Sequence, residues 1–267
     1  MRSTRGGSSV RVCVATGSRA DFGLLKPVMT VIAAAEGLTL EVMVVGSHFL
    51  ESQGSTISEI EASGFAINER VDVAFDDSAS GVSEAIAKTV TGATAALTRL
   101  QPNIVILLGD RFEALAVGLA STILRIPIAH IGGGDVTLGA YDEGFRHSLT
   151  KLSHIHFTTN TESTQRVLQL GEEAWRVHQV GSPGIDALLE VERQDKETIE
   201  HFLSWSFRRR NLLVTLHPTT LQPGAARMHA QALVQALEGM PDDIGVIVTG
   251  TNIDNEGAEI NDVLWLF

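Results

Sequence analysis

Four acids with the chemistry for proton transfer fall in two short stretches. Asp110 lies in Gly109-Asp110-Arg111-Phe112-Glu113, and Asp135, Asp142 and Glu143 follow one another within a Gly-rich segment that ends in Arg146-His147. Asp110 is set to open a helix, where the macrodipole stabilises a carboxylate; an ordinary N-cap is the plainer reading of the same residue. Gly132-Gly133-Gly134 lets backbone approach a ligand closely. If the acids converge, repulsion holds a proton on one and leaves another ionised, as paired acid–base chemistry requires. If they point apart they are an acidic surface. A Mg²⁺ or Ca²⁺ site is the competing use of clustered carboxylates, but no calcium-loop pattern is present, so no metal is expected.

Cationic and imidazole groups occupy two further loops. Gly17-Ser18-Arg19-Ala20-Asp21-Phe22-Gly23 has neither the glycine pattern of a dinucleotide site nor the Lys-Ser/Thr of a P-loop. It does put Arg19 where a helix begins, so Arg19 either meets a phosphate or pairs with Asp21 or another neighbouring carboxylate. In Gly46-Ser47-His48, His48 is a candidate donor to a sugar or phosphate oxygen, and equally a structural hydrogen-bonder.

These residues need a scaffold, and short β-branched runs alternating with helical patterns supply one. Val10–Thr16, Leu40–Val45, Ile104–Leu108, Pro127–Ile131, His156–Thr159 and Val177–Val180 read as strands buried on both faces, as in a parallel sheet. Val82, Ala85, Ile86, Val90, Ala93, Leu97 and Leu100 keep helical spacing, and Pro102 ends that helix. A second helix over 111–125 is apolar enough to pack on both the sheet and a neighbour. The alternation predicts a doubly wound α/β domain over 10–180, preceded by a disordered tail at 1–9. A partial second unit over 181–267 offers strands at 211–215 and 245–249 and a helix at 225–237.

Composition narrows the function. The chain has 267 residues, 44% hydrophobic and 19% charged, enough apolar side chain for a proper core. A net charge of −12 argues against a nucleic-acid or anionic-membrane partner, and 5% aromatic residues argue against a base-stacking platform. Cys13 is the single cysteine, which excludes an intrachain disulfide and a Cys-based zinc site and fits a reducing, cytoplasmic setting. No apolar stretch reaches the ~20 residues of a spanning helix.

The motifs together resemble the hydrolysing UDP-N-acetylglucosamine 2-epimerases of sialic and bacterial nonulosonic acid synthesis. They are GSRADFGLLKP at 17–27, GSH at 46–48, GDRFEALA at 109–116, the long block at 130–157, VGSPGID at 180–186 and TLHPTT at 215–220. The resemblance implies a glycosyltransferase-B-like α/β fold of two Rossmann-like domains with a sugar nucleotide in the cleft between them. It implies no nicotinamide or other cofactor, and a homo-oligomer, dimer or tetramer. The implied reaction converts a UDP-2-acetamido sugar and water to the free 2-epimer and UDP.

Carried onto this chain, the resemblance makes Asp110, Asp135, Asp142 and Glu143 the catalytic acids. Arg19, His48, Arg111, Arg146, His147, Gly181 and Ser182 become substrate-binding residues, and His217 a nucleotide-side histidine. Some members carry a catalytic Glu where this chain has Gly132, the nearest acid being Asp135. The family's second domain is expected to run on for roughly a hundred residues, a domain-sized portion. The expected consequence is weak UDP binding by the chain as written. A non-catalytic member and a reversible, non-hydrolysing epimerase are the competing readings.

Overall fold

The computed structural model describes residues 9–49, 56–251 and 256–267. The tail expected at 1–9 therefore lies, apart from Ser9, outside the described residues. The chain divides into two compact units, Met1–Phe75 with Ser80–Leu189, and Asp76–Ala79 with Glu190–Phe267.

The first unit is a seven-stranded sheet in the order β3-β2-β1-β4-β5-β6-β7, parallel at every pairing. Its strands are β1 (Val10–Thr16), β2 (Leu38–Val45), β3 (Ile67–Val71), β4 (Ile104–Leu108), β5 (Ile128–Ile131), β6 (Ile155–Thr158) and β7 (Val177–Gln179). Side chains alternate through it with the period of two that a strand imposes. Cys13, Ala15, Met43, Val45, Val105 and Leu107 face one core with helices α3 (Ala79–Leu100) and α4 (Phe112–Ile123). Val12, Val14, Val42, Val44, Ile106 and Leu108 face the other with α1 (Arg19–Ala34) and α2 (Ile57–Ala62). Burial on both faces explains the near-continuous apolar runs. It also pushes the Cys13 thiol far above its ordinary range.

The edge strand β3 was not expected from the sequence. Its residues Asn68, Glu69 and Arg70 are polar, because an edge strand with one open face needs no apolar run. Glu69 pairs with Arg99 of α3 at 2.7 Å, and Asn68 accepts from the Val42 amide where the register shifts. The α4 helix packs on α5 (Asp142–Leu152) as well as on the sheet: a Cβ on Gly118 would lie 2.6 Å from Leu149 Cδ1. Helices α6 (Thr161–Gln169) and α7 (Pro183–Glu190) complete the unit.

The chain runs β1 to β3 toward one edge, then returns to β4 beside β1 and proceeds to the other edge. The topological switch point therefore lies between the carboxyl ends of β1 and β4, where open α/β sheets open a ligand crevice. The second unit pairs β8 (Arg210–Val214) and β9 (Ile244–Val248) in parallel, with α8 (Lys196–Leu203), α9 (Ala226–Glu238) and α10 (Gly257–Leu264). Ala226, Ala230, Ile260 and Leu264 form its small core.

Candidate active site

Arg146 is the hub of the loops at the carboxyl ends of β4 and β5. It projects from the second turn of α5 and is 6% exposed. Its Nη2 donates to the Asp110 carboxylate and, at 2.8 Å, to Thr137 Oγ1; its Nη1 donates to the Asp135 carbonyl at 2.8 Å. Asp142 opens the same helix four residues earlier, so it stands on the same face one turn nearer the N-terminus. Asp110, 32 positions before Asp142 in the chain, is thus bonded to the helix that Asp142 opens, through the buried Arg146 guanidinium.

The loop between β5 and α5 is pinned at both ends. Asp135 Oδ1 accepts from Thr159 Oγ1 at 2.6 Å and from Ser163 Oγ at 2.5 Å, so its carboxylate faces the start of α6. Gly134 has φ of +83°, and a Cβ there would lie 2.2 Å from the Ser163 carbonyl oxygen. Gly134 therefore serves a close backbone approach to α6, whereas a Cβ on Gly133 would meet Thr150 and His130. Glu143 Oε2 accepts from the Thr137 amide at 2.8 Å, and its Oε1 stands 3.6 Å from His147 Nε2. Both residues brace the loop.

His130, at the end of β5, anchors Asp110 from behind. Its Nε2 donates to the Gly109 carbonyl at 2.7 Å, and its Nδ1 lies 3.3 Å from Thr150 Oγ1. Burial holds the imidazole neutral, pushed down to about 4. The sequence reading missed this histidine. Its signal was a polar residue inside an otherwise apolar four-residue strand.

On the β1 and β2 side, His48 is fully buried between Thr16 Oγ1 (2.9 Å) and Thr56 Oγ1 (2.7 Å), and burial lowers it to about 4. Arg19 is exposed and pairs with Glu59 on α2 at 2.9 Å. Exposed pairs are worth only about 0–1 kcal/mol, so an anionic ligand could displace Glu59 cheaply. Arg111 is nearly buried and forks onto Glu113, with Nε 3.2 Å from Oε2 and Nη2 3.4 Å from Oε1. Asp21 faces this pair from the first turn of α1. Burial raises the carboxyls of both Asp21 and Glu113, with Arg111 opposing. The sequence reading gave neither acid a place in the site and offered Asp21 only as a partner for Arg19, which pairs with Glu59 instead.

The other expected residues lie elsewhere. Gly181, with φ of +90°, lines an apolar cavity of about 230 Å³ with Ile106, Ile131 and Phe157; none of the four candidate acids lines it. Ser182 Oγ accepts from the Gly184 amide at 3.3 Å. His217 belongs to the second unit, in the segment after β8. Among the described residues no group of three or more His, Cys, Asp or Glu is arranged to hold a metal ion. No helix among them is long and apolar enough to cross a membrane.

A doubly wound parallel sheet with acids and arginines gathered in the loops at its strand ends defines a class: α/β proteins whose ligand crevice opens outside the carboxyl ends of the strands. The particular family follows from comparison. A family model described as UDP-N-acetylglucosamine 2-epimerase matches residues 30–266, and the chain belongs to that family. A hydrolysing GDP/UDP-N,N'-diacetylbacillosamine 2-epimerase of Campylobacter jejuni is 31% identical over 96% of this chain and 67% of its own length. A hydrolysing UDP-N,N'-diacetylbacillosamine 2-epimerase of Legionella pneumophila is 30% identical over 95% and 67%. The UDP-GlcNAc 2-epimerase of Neisseria meningitidis, solved bound to UDP-GlcNAc, superposes with a TM-score of 0.79 at 18% identity, covering 96% of this chain and 70% of that one. The enzyme from Methanocaldococcus jannaschii, solved with UDP-GlcNAc and UDP, gives 0.80 at 17% over the same shares. The fold is therefore glycosyltransferase-B-like, and the chain spans about two thirds of the length of these relatives.

Proposed function

We propose that this chain supplies the acid–base half of a hydrolysing 2-epimerase acting on a UDP-2-acetamido sugar, UDP-N-acetylglucosamine or a 2,4-diacetamido relative. The observation that carries the reading is the Arg146 hub, which brings Asp110 to the face of the helix that Asp142 opens. The family and the hydrolysing relatives support the reaction class.

The C2 proton of such a sugar is not acidic, because C2 is not alpha to a carbonyl. Cleavage of the C1–O bond must lead, with UDP departing with the electron pair. Oxocarbenium character at C1 then makes the C2 proton removable by a carboxylate, giving a glycal. Water adds its oxygen to C1 while a proton returns to C2 on the other face, giving the free 2-epimer. Asp110 and Asp142 are assigned as the acid–base pair, which also stabilises the cation. Arg19 and Arg111 are assigned to the departing diphosphate. Asp135, Glu143 and His147 are assigned to holding the loop, given where their side chains are bonded.

The test is incubation of the purified chain with UDP-N-acetylglucosamine and, separately, UDP-N,N'-diacetylbacillosamine, with assay of UDP and of free sugar. Equimolar UDP and free 2-epimer, lost in Asp110→Asn, is the expected result. Retention of the UDP-sugar as a mixture of epimers would identify a reversible enzyme, and no release with either sugar would overturn the reading.

A further inference from the structure

Two strand-end glycines are cleared for one side chain. A Cβ on Gly17 would lie 2.9 Å from Glu113 Cβ, and a Cβ on Gly46 would lie 2.7 Å from Glu113 Cγ. The space that β1 and β2 give up is filled by Glu113, which is 1% exposed. Asp21 shares the pocket. Its Oδ2 accepts from the Gly17 amide at 3.3 Å and would lie the same distance from that Gly17 Cβ. An acid one turn into a helix needs no such clearance to be a solvated first-turn residue. A buried ion pair is moreover weak evidence for stability, since an apolar replacement often does as well. The arrangement is therefore better explained by what it does to Arg111.

The geometry points to Glu113, with Asp21 beside it, as a positioning residue for Arg111, fixing the guanidinium in one pose at the switch point. There it meets the diphosphate of the sugar nucleotide, an assignment that rests on the epimerase reading. The groups facing Glu113 are Arg111 from its own helix and Asp21 from α1, with Asp110 on the same loop and His48 held neutral near Arg111. Two ionised carboxylates against one guanidinium would leave a net negative charge beside an anionic ligand. Burial favours keeping one proton on the pair, so the pocket is neutral until pH rises. Ionising the second carboxyl then weakens diphosphate binding.

The test uses the full chain, Glu113→Gln and Asp21→Asn, each checked for folding by circular dichroism. The Arg111 Nε–H resonance, identified by its loss in Arg111→Lys, reports the pose without any turnover, and calorimetry with UDP reports binding. Loss of a charge-assisted bond predicts about tenfold faster Nε–H exchange and about tenfold weaker UDP binding in Glu113→Gln. Affinity that falls with rising pH in the parent should flatten in the variant. Asp21→Asn gives the same readouts should Glu113→Gln not fold. Folded variants with unchanged exchange and unchanged UDP affinity would overturn the inference, as would a parent chain that binds no UDP. Failure of the epimerase reading looks different: UDP bound and Arg111 held, but no UDP released from a sugar nucleotide.

Discussion

Arg146 and Asp110 meet across the carboxyl ends of β4 and β5, with the guanidinium almost wholly buried and the carboxylate 24% exposed. That asymmetry separates their roles. The arginine is a structural cation whose removal strands an acid, a carbonyl and a hydroxyl; the aspartate keeps an open side toward solvent. Arg146→Met should therefore cost about 3 kcal/mol, toward the low end for breaking a buried pair because Asp110 retains some water. Urea unfolding reads this directly. Asp110→Asn keeps the shape and an acceptor for the guanidinium but removes its counter-charge, so it should cost about 1.5–3 kcal/mol, and lower kcat by about 10²–10⁴-fold. A folded Asp110→Asn that keeps the parent's kcat would contradict the division.

Gly134 and Gly144 offer a matched pair of substitutions. At Gly134 the positive φ and the approach to the Ser163 carbonyl both forbid a side chain, so Gly134→Ala should lose more than about 2 kcal/mol. Gly144 lies inside α5 with nothing within 4 Å of a Cβ, so Gly144→Ala should gain about 0.5–1 kcal/mol. Thermal melts of the two proteins should move in opposite directions.

The strands that carry the site were readable because burial on both faces of β1, β4 and β5 writes itself as short, mostly apolar runs, broken only by Arg11 in β1 and His130 in β5. Ile104–Leu108 and Val10–Thr16 have in the structure the limits expected from that run. The strand β3 was hidden because Asn68-Glu69-Arg70 obeys an open edge. At the site, Asp110 was visible from its place after a strand. Glu113 was not, because its burial depends on Gly17 and Gly46, glycines that end two other strands and look like ordinary turn residues in sequence. Likewise the direction of Asp135 is fixed by Thr159 and Ser163, a contact across 24 and 28 positions that no local pattern encodes.

His48 and His130 make stability depend on pH. Both are fully buried, both are lowered to about 4, and an unfolded histidine titrates near 6.5. Between those values the unfolded chain binds the proton and the folded chain does not. Stability is therefore fully present above pH 6.5 and is lost as pH falls toward 4, by on the order of 3 kcal/mol for each histidine. Urea midpoints measured at pH 7 and pH 5 should differ strongly in the parent. His130→Gln keeps a donor near the Nε2 position and should shrink that difference; an unchanged pH dependence in both His130→Gln and His48→Gln would contradict the assignment.

Asp135 ranks among the acids that the family resemblance makes catalytic, and its hydrogen bonds suit a loop-holding role that mutation can test. Its Oδ1 takes two hydroxyl donors and its carbonyl takes Arg146, so the residue is bonded on the side of α6 and of the loop. An amide oxygen accepts the same two hydroxyls, although a neutral acceptor binds them less strongly. Asp135→Asn should then keep kcat within about threefold, because no proton passes through the group, whereas a general acid or base would cost about 10²–10⁴-fold. Asp135→Ala should behave differently again. With the acceptor gone, Thr159 and Ser163 lose their partner and the loop that presents Asp142 loosens, so kcat falls while the melting temperature drops. A collapse of turnover in Asp135→Asn at unchanged stability would instead place Asp135 beside Asp110 in the chemistry.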